Sequence, residues 1–121
     1  MTRINVGVHP TELVRQHLLA EHREIKRIPN TIKSGRYSLD NIPDKFKLGV
    51  GHVRFFYNKL EYLRRRYKLI HNECIIRGYN VENYEGAWDN LPGDLMGDYE
   101  ETLEDREIVL QRISERLKAM K

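Results

Sequence analysis

One long amphipathic pattern in the middle of the chain constrains the fold more than any other feature. From about Val50 to Arg77, the residues Val53, Phe56, Leu60, Leu63, Tyr67, Ile70 and Cys74 recur every three or four positions, the spacing that lays side chains along one stripe of an α-helix. Gly78 follows, at the point where a left-handed C′ residue ends a helix. Such a rod is about 40 Å long at the helical rise per residue, comparable to the width of the whole domain, so it is expected to run through the middle of the fold. A chain of 121 residues buries one core and not two. The expectation is an all-α fold: one compact domain over residues 1–121, with three main helices around a long central one and irregular connecting loops.

The flanking segments fit that plan. Leu103, Leu110, Ile113, Leu117 and Met120 predict a last helix from about Thr102 to Met120, started by a capping box of Thr102 and Asp105 and carrying Arg112, Arg116 and Lys118 on its exposed side. Gly, Pro, Asn and Asp in turn-forming combinations make "GYNVENYEGAWDNLPGDLMGDYE" an irregular wrap. Trp88 within it reads as a core plug rather than a base-stacking platform. Residues 29–48 lack sustained periodicity, although "NIPDKF" is a candidate for one short helical turn. A first helix is expected from about Thr11 to Ile28, with Val14, Leu18 and Ile25 as its buried stripe. His17 and Glu24, seven residues apart, project within about 20° of each other at the border of that stripe.

Composition excludes several classes of function. Charged residues make up 32% of the chain against 40% hydrophobic, and no apolar run has the length needed to cross a bilayer. An apolar leader followed by a small-residue cleavage site is absent, which argues against secretion. The one cysteine, Cys74, allows no internal disulfide and no metal-ligand spacing, so a cytoplasmic protein with Cys74 packed as a small hydrophobe is expected. With 21 Lys+Arg against 18 Asp+Glu the net charge is only +3, but the signs are segregated. Basic residues collect in "REIKR", "IKSGR" and "RRRYK", and acids in "DYEETLEDRE". From charge alone this fits a face for a polyanion and a solvated helix surface equally well.

Two features stay ambiguous when read from spacing alone. Glu24, beside Arg23 and Arg27 at i and i+4, is expected to be half-buried and held ionised. A carboxylate so placed at a cleft can stabilise a cation or move a proton, while a helix-surface ion pair is the simpler reading. The opening "MTRIN" is, by the ordinary behaviour of chain ends, a frayed tail.

"MTRIN", "RQHLLAEHREIKR", "LGVGHVRFFYNKLEYLRRR" and "ECIIRGYN", in this order, resemble the pyrimidine-dimer DNA glycosylases and abasic lyases of the phage endonuclease V family, over a span from Thr2 to about Arg116. The resemblance implies a mostly helical, monomeric DNA-repair enzyme that flips a nucleotide out of kinked double-stranded DNA, needs no metal or organic cofactor, and comes from a phage or a bacterium. It makes the α-amino group of Thr2, exposed when Met1 is removed, the nucleophile. An α-amine has a reference pKa near ~8 and so offers a neutral fraction at physiological pH that lysine does not. The amine would attack the sugar C1′, expel the damaged base and form an imine, whose acidified 2′ hydrogens permit β-elimination of the 3′ phosphate.

Glu24 matches the family's essential glutamate, which stabilises positive charge at C1′ and assists proton transfers. Arg3, Gln16, His17, Arg23 and Arg27 match residues that grip the substrate, and Arg112 and Arg116 fall where the last helix meets DNA phosphates. The connection from Arg27 to "LGVGH" is shorter than in the phage enzyme, and no aromatic, lysine-rich segment follows the last helix, so weaker selection of the lesion is expected. The same chemistry on another damaged or modified base, and a non-catalytic helical DNA-binding protein, are the alternatives.

Overall fold

The computed structural model describes residues 2–119. Among these the regular structure is entirely helical: α1 (Arg15–Glu24), α2 (Arg27–Ser34), α3 (His52–Phe55), α4 (Leu60–Ile76) and α5 (Leu103–Ala119), with 3-10 turns at Pro10–Glu12, Glu85–Trp88 and Gly93–Leu95. No helix of the described residues is long and apolar enough to cross a membrane. The all-α expectation holds, and the described residues share one core. Its centre is the face of α4 that meets α1, with Ile4, Val6 and Val8 of the N-terminal segment buried beside it.

The apolar stripe of the central segment is buried as the periodicity predicts, from Phe56 through Leu60, Leu63, Tyr67 and Ile70 to Cys74, with Val53 half-buried. Gly78 takes a left-handed φ of 81°, and the Tyr79 N–H donates to the Cys74 carbonyl at 2.9 Å, which closes the helix. The segment is not one rod, however. It breaks into α3 and α4 at residues 56–59, leaving α4 about 26 Å long. The break is filled from elsewhere in the chain: the Gly97 carbonyl accepts the N–H groups of Glu61 and Tyr62 at 3.1 and 3.2 Å. Lys59 Nζ meanwhile donates back to the Phe55 carbonyl at 3.0 Å. A Cβ at position 97 would lie 2.4 Å from the Asn58 carbonyl oxygen, so only glycine allows this approach.

The expected first helix is likewise divided. The His9–Glu12 capping box uses the first residues in a 3-10 turn, so Leu13 is buried and Val14, an extended N-cap, is not. At the other end Pro29 has no N–H to offer the Ile25 carbonyl, and its ring would collide with that group. The chain tightens there, with Ile28 N–H reaching Ile25 O at 3.3 Å, and restarts as α2. Residues 29–34, expected to be irregular, are therefore helical, whereas "NIPDKF" forms no helix. On α5 the Thr102–Asp105 box is present, with both bonds at 3.1 Å. The stripe is displaced, because Asp105 and Val109 are buried while Leu103 is 80% exposed. The expected Met120 contact lies outside the described residues. Trp88 is a core plug, its ring centroid 5.1 Å from that of Tyr67.

The basic cluster "RRRYK" is paired with carboxylates of the fold. Arg64 bonds Glu61 through two nitrogens at 2.9 and 3.0 Å, Arg65 meets Asp98 at 2.5 Å, and Lys68 lies 3.8 Å from Glu85. Arg66 is buried and bidentate on Glu21, at 2.8 and 3.0 Å. Consecutive helical positions diverge by about 100°, so each arginine finds a different carboxylate.

Glu21 and Arg66, 1% and 4% exposed, form the innermost charged pair. Burial works against the guanidinium, but the charge of Glu21 and its hydrogen bonds outweigh that and raise the Arg66 pKa. Removing one partner leaves the other charge buried and uncompensated. Glu21→Ala is accordingly expected to lose about 3–5 kcal/mol of folding stability in urea titrations. A paired Glu21→Leu, Arg66→Met replacement should recover most of it, and a single-variant loss under about 1 kcal/mol would contradict this account.

Candidate functional site

One face of α1, the N-terminal segment and α5 enclose an open cleft of about 230 Å³, lined by Arg3, Asn5, His17, Ala20, Glu21, Glu24, Ile113 and Arg116. Each lining group has a local reason to be there. Helical spacing puts His17, Glu21 and Glu24 on one face of α1. The N-terminal segment carries no strand partner, so its polar groups are held by side chains: Asn5 Nδ2 donates to Glu21 Oε1 at 2.7 Å, and Arg66 Nη1 to the Val8 carbonyl at 2.6 Å. Gly7 donates its N–H to Glu101. The α5 helix is clamped over this segment by Arg106, which donates to Gly7 O at 3.0 Å and to both oxygens of Glu12 at 2.7 and 2.6 Å. One and two turns beyond Val109, that anchoring directs Ile113 and Arg116 into the cleft.

Glu24 is half-buried as expected, its side chain 14% exposed, with Arg23 Nη2 3.5 Å from Oε2. Arg27 does not share its helix: it is the first residue of α2 and is exposed to solvent. Gln16 and Arg23 are exposed on α1. A second cleft of about 280 Å³ adjoins the first and is lined by Thr2, Arg3, Leu48, Gly49, His52 and Val53. Thr2 and Glu24 therefore lie in neighbouring clefts with Arg3 as their shared wall. Arg112 lines a shallower groove with Leu48 and Gln111.

The electrostatics of this corner are those of crowded positive charge. The Arg3 guanidinium is held below the usual arginine range, first by burial, then by repulsion from Arg112 and Arg116, with Glu24 acting the other way. Burial also lowers the pKa of His17, aided by Arg3 and Arg116, and its Nδ1 is buried without a hydrogen-bond partner among the described residues. A polyanion entering here relieves repulsion between arginines that the fold itself has gathered. No group of three or more metal-ligating side chains occurs among the described residues.

Sequence reasoning missed Asn5, Glu21 and His52. A signal for Glu21 was present: Leu18, Glu21, His22 and Ile25 occupy i, i+3, i+4 and i+7, and all are buried. The set Leu63, Arg66, Tyr67 and Ile70 repeats the pattern on α4. A carboxylate and a guanidinium at matching core positions of two helices forecast a pair. Nothing local marked His52.

Arg3 of the N-terminal segment and Arg116 of α5 line the first cleft with the carboxylates of Glu21 and Glu24, and Arg23 of α1 stands beside Glu24, so a helical domain gathers its arginines at one open corner. A family model described as pyrimidine dimer DNA glycosylase matches residues 1–84. The chain belongs to the pyrimidine dimer DNA glycosylase family, and hence among DNA-repair enzymes that act on dimer-containing DNA. The matched span includes Thr2, Arg3, His17, Glu24 and Arg27, while Arg112 and Arg116 lie beyond it.

If Arg116 depresses His17 as described, Arg116→Ala should move the His17 titration upward toward the ordinary histidine value near ~6.5, followed by imidazole nitrogen NMR. An unchanged midpoint would remove Arg116 from the cleft.

Proposed function

We propose that the protein is a bifunctional enzyme that excises a base of a cyclobutane pyrimidine dimer and then cleaves the abasic strand, with the α-amine of Thr2 as nucleophile. The amine exists once Met1 is removed, since with Met1 in place the Thr2 nitrogen is an amide. Its lone pair attacks C1′, and the base departs with the electrons of the glycosidic bond and takes up a proton. The nitrogen gives up one proton and, as its lone pair forms the C=N bond, the C1′–O4′ bond breaks and O4′ takes up a proton, which leaves a ring-opened, protonated imine. Removal of a 2′ proton then sends electrons toward the imine and expels the 3′ phosphate. Water finally hydrolyses the product imine and frees the amine.

The observation that supports this reading is the anchored segment that carries Thr2 into a cleft walled by Arg3. Chain ends usually fray, yet Ile4, Asn5 and Val6 are buried, so Thr2 stands on a fixed base beside Arg3 and the Glu24 cleft. In this reading Glu24 opposes the cation that develops at C1′ and shuttles the protons. Arg3, Gln16, His17, Arg23, Arg27, Arg112 and Arg116 hold the phosphates and the displaced nucleotide of duplex DNA. The amine supplies the nucleophile, so the chemistry requires neither metal nor organic cofactor, and one monomer contains every group invoked.

Borohydride is expected to trap a covalent adduct between Met1-free protein and an abasic duplex, with peptide mapping placing it at Thr2. An adduct on a lysine, or one that survives acetylation of the N-terminus, overturns the assignment. Abasic cleavage without dimer excision would redirect the same chemistry to another base, and no cleavage of any duplex would leave a binding protein.

Glu24→Gln keeps size and hydrogen bonding but removes the charge. Base excision should fall by about 10²-fold or more with duplex affinity retained; near-wild-type excision would deprive the carboxylate of its role.

A further inference from the structure

We propose that His52 is the positioning residue for the Thr2 amine: its ring holds the backbone of Ile4 and so fixes the base from which the nucleophile reaches the sugar. The inference rests on the reading of Thr2 given above. His52 is the first residue of α3, and its ring is buried where the Thr2 cleft meets the core. Both ring nitrogens are engaged. Nδ1 lies 2.8 Å from the Lys47 carbonyl, which can only accept, so Nδ1 carries the proton. Nε2 is therefore left as an acceptor, and it receives the Ile4 N–H at 2.9 Å. The imidazole is wedged edge-on between Phe46 and Phe56, at centroid distances of 5.5 and 5.3 Å, so its plane is set by packing as well.

This bond reaches the N-terminal segment closer to Thr2 than either the Asn5–Glu21 bond or the Arg66–Val8 bond does. Two residues of chain reach at most about 7 Å, so an anchored Ile4 confines the amine to the cleft that Thr2 lines. Confinement of this kind is what makes an attack effectively unimolecular, and a displacement of about 1 Å costs on the order of 10²-fold in rate. A ring protonated at both nitrogens would offer Ile4 a second donor in place of an acceptor. Burial and Arg3 oppose that protonation, against the Lys47 carbonyl and Glu21, which favour it, and the net pKa is lowered.

Two substitutions separate positioning from simple packing. In His52→Gln the side-chain amide reaches the place of Nε2, and its oxygen can still accept from Ile4. In His52→Asn the amide reaches only the place of Nδ1, so the tie to Lys47 survives and the tie to Ile4 is lost. Single-turnover borohydride trapping on an abasic duplex, with proteins verified free of Met1, should show His52→Asn slowed by about 10- to 100-fold and His52→Gln close to wild type. Duplex affinity by fluorescence anisotropy should be unchanged in both. The Ile4 amide should exchange slowly with solvent in the wild type, fast in His52→Asn and slowly in His52→Gln. Equal rates for the two variants, a faster His52→Asn than His52→Gln, a parallel loss of duplex binding, or an unprotected Ile4 amide in the wild type would each overturn the proposal. If the wild type traps at Thr2 while His52→Asn traps equally fast, only the role of His52 fails; if the wild type forms no Thr2 adduct, the functional reading fails first.

Discussion

The buried ion pair of Glu21 and Arg66 is the interaction on which the rest of the molecule depends. It joins α1 to α4 at the centre of the core, and two charges in such a place are tolerated only when their remaining hydrogen-bonding capacity is met. The partners that meet it come from the N-terminal segment: Asn5 donates to Glu21, and the Val8 carbonyl accepts from Arg66. Ordering of the chain's start is thus a condition for burying the pair. A segment with no strand partner acquires a fixed path because core charges need its polar groups, and α5 then closes over it through Arg106 and the Gly7 carbonyl.

That same path creates the site. Holding residues 4–8 inside the core carries Arg3 to the wall between two clefts, where it meets Arg112 and Arg116 from α5 and Glu24 from α1. Crowded like charges cost stability, and Glu24 offsets part of that cost at Arg3, so an added anion is electrostatically favoured at this corner. Several basic residues elsewhere have internal partners: Arg64, Arg65, Arg66 and Lys68 all face carboxylates, Lys26 lies 3.5 Å over the Tyr84 ring, and Lys33 bonds the Gly86 carbonyl. Basic residues are spread along the chain, while the mutual repulsion of Arg3, Arg112 and Arg116 is set up where the N-terminal segment meets α5.

Much of this was legible from spacing. The stripe from Phe56 to Cys74, the helix stop at Gly78, the capping box at Thr102 and the half-buried border position of Glu24 all follow from periods and caps that operate within one or two turns. The errors came from events with remote causes. The central helix divides because Gly97, arriving from the far side of the sequence, supplies the carbonyl for its new N-terminus. The stripe on α5 shifts because Arg106 and Asp105 are engaged by Glu12, Gly7 and Tyr99. Two differences had local causes in plain view, the proline at position 29 before α2 and the His9–Glu12 capping box ahead of α1.

The sequence by itself determined the helical class, the apolar faces and the types of residue able to do chemistry, because these depend on side-chain identity and on a period of a few residues. Tertiary structure alone decided which charges are internal and which remain for a ligand, and it decided that Thr2 stands on a fixed base. Glu21 and Arg66 are 45 positions apart, Ile4 and His52 are 48, and Gly7 and Arg106 are 99. Such partners are chosen by the path of the chain through space, since a buried donor or acceptor must be satisfied by whatever group the fold brings within about 3 Å.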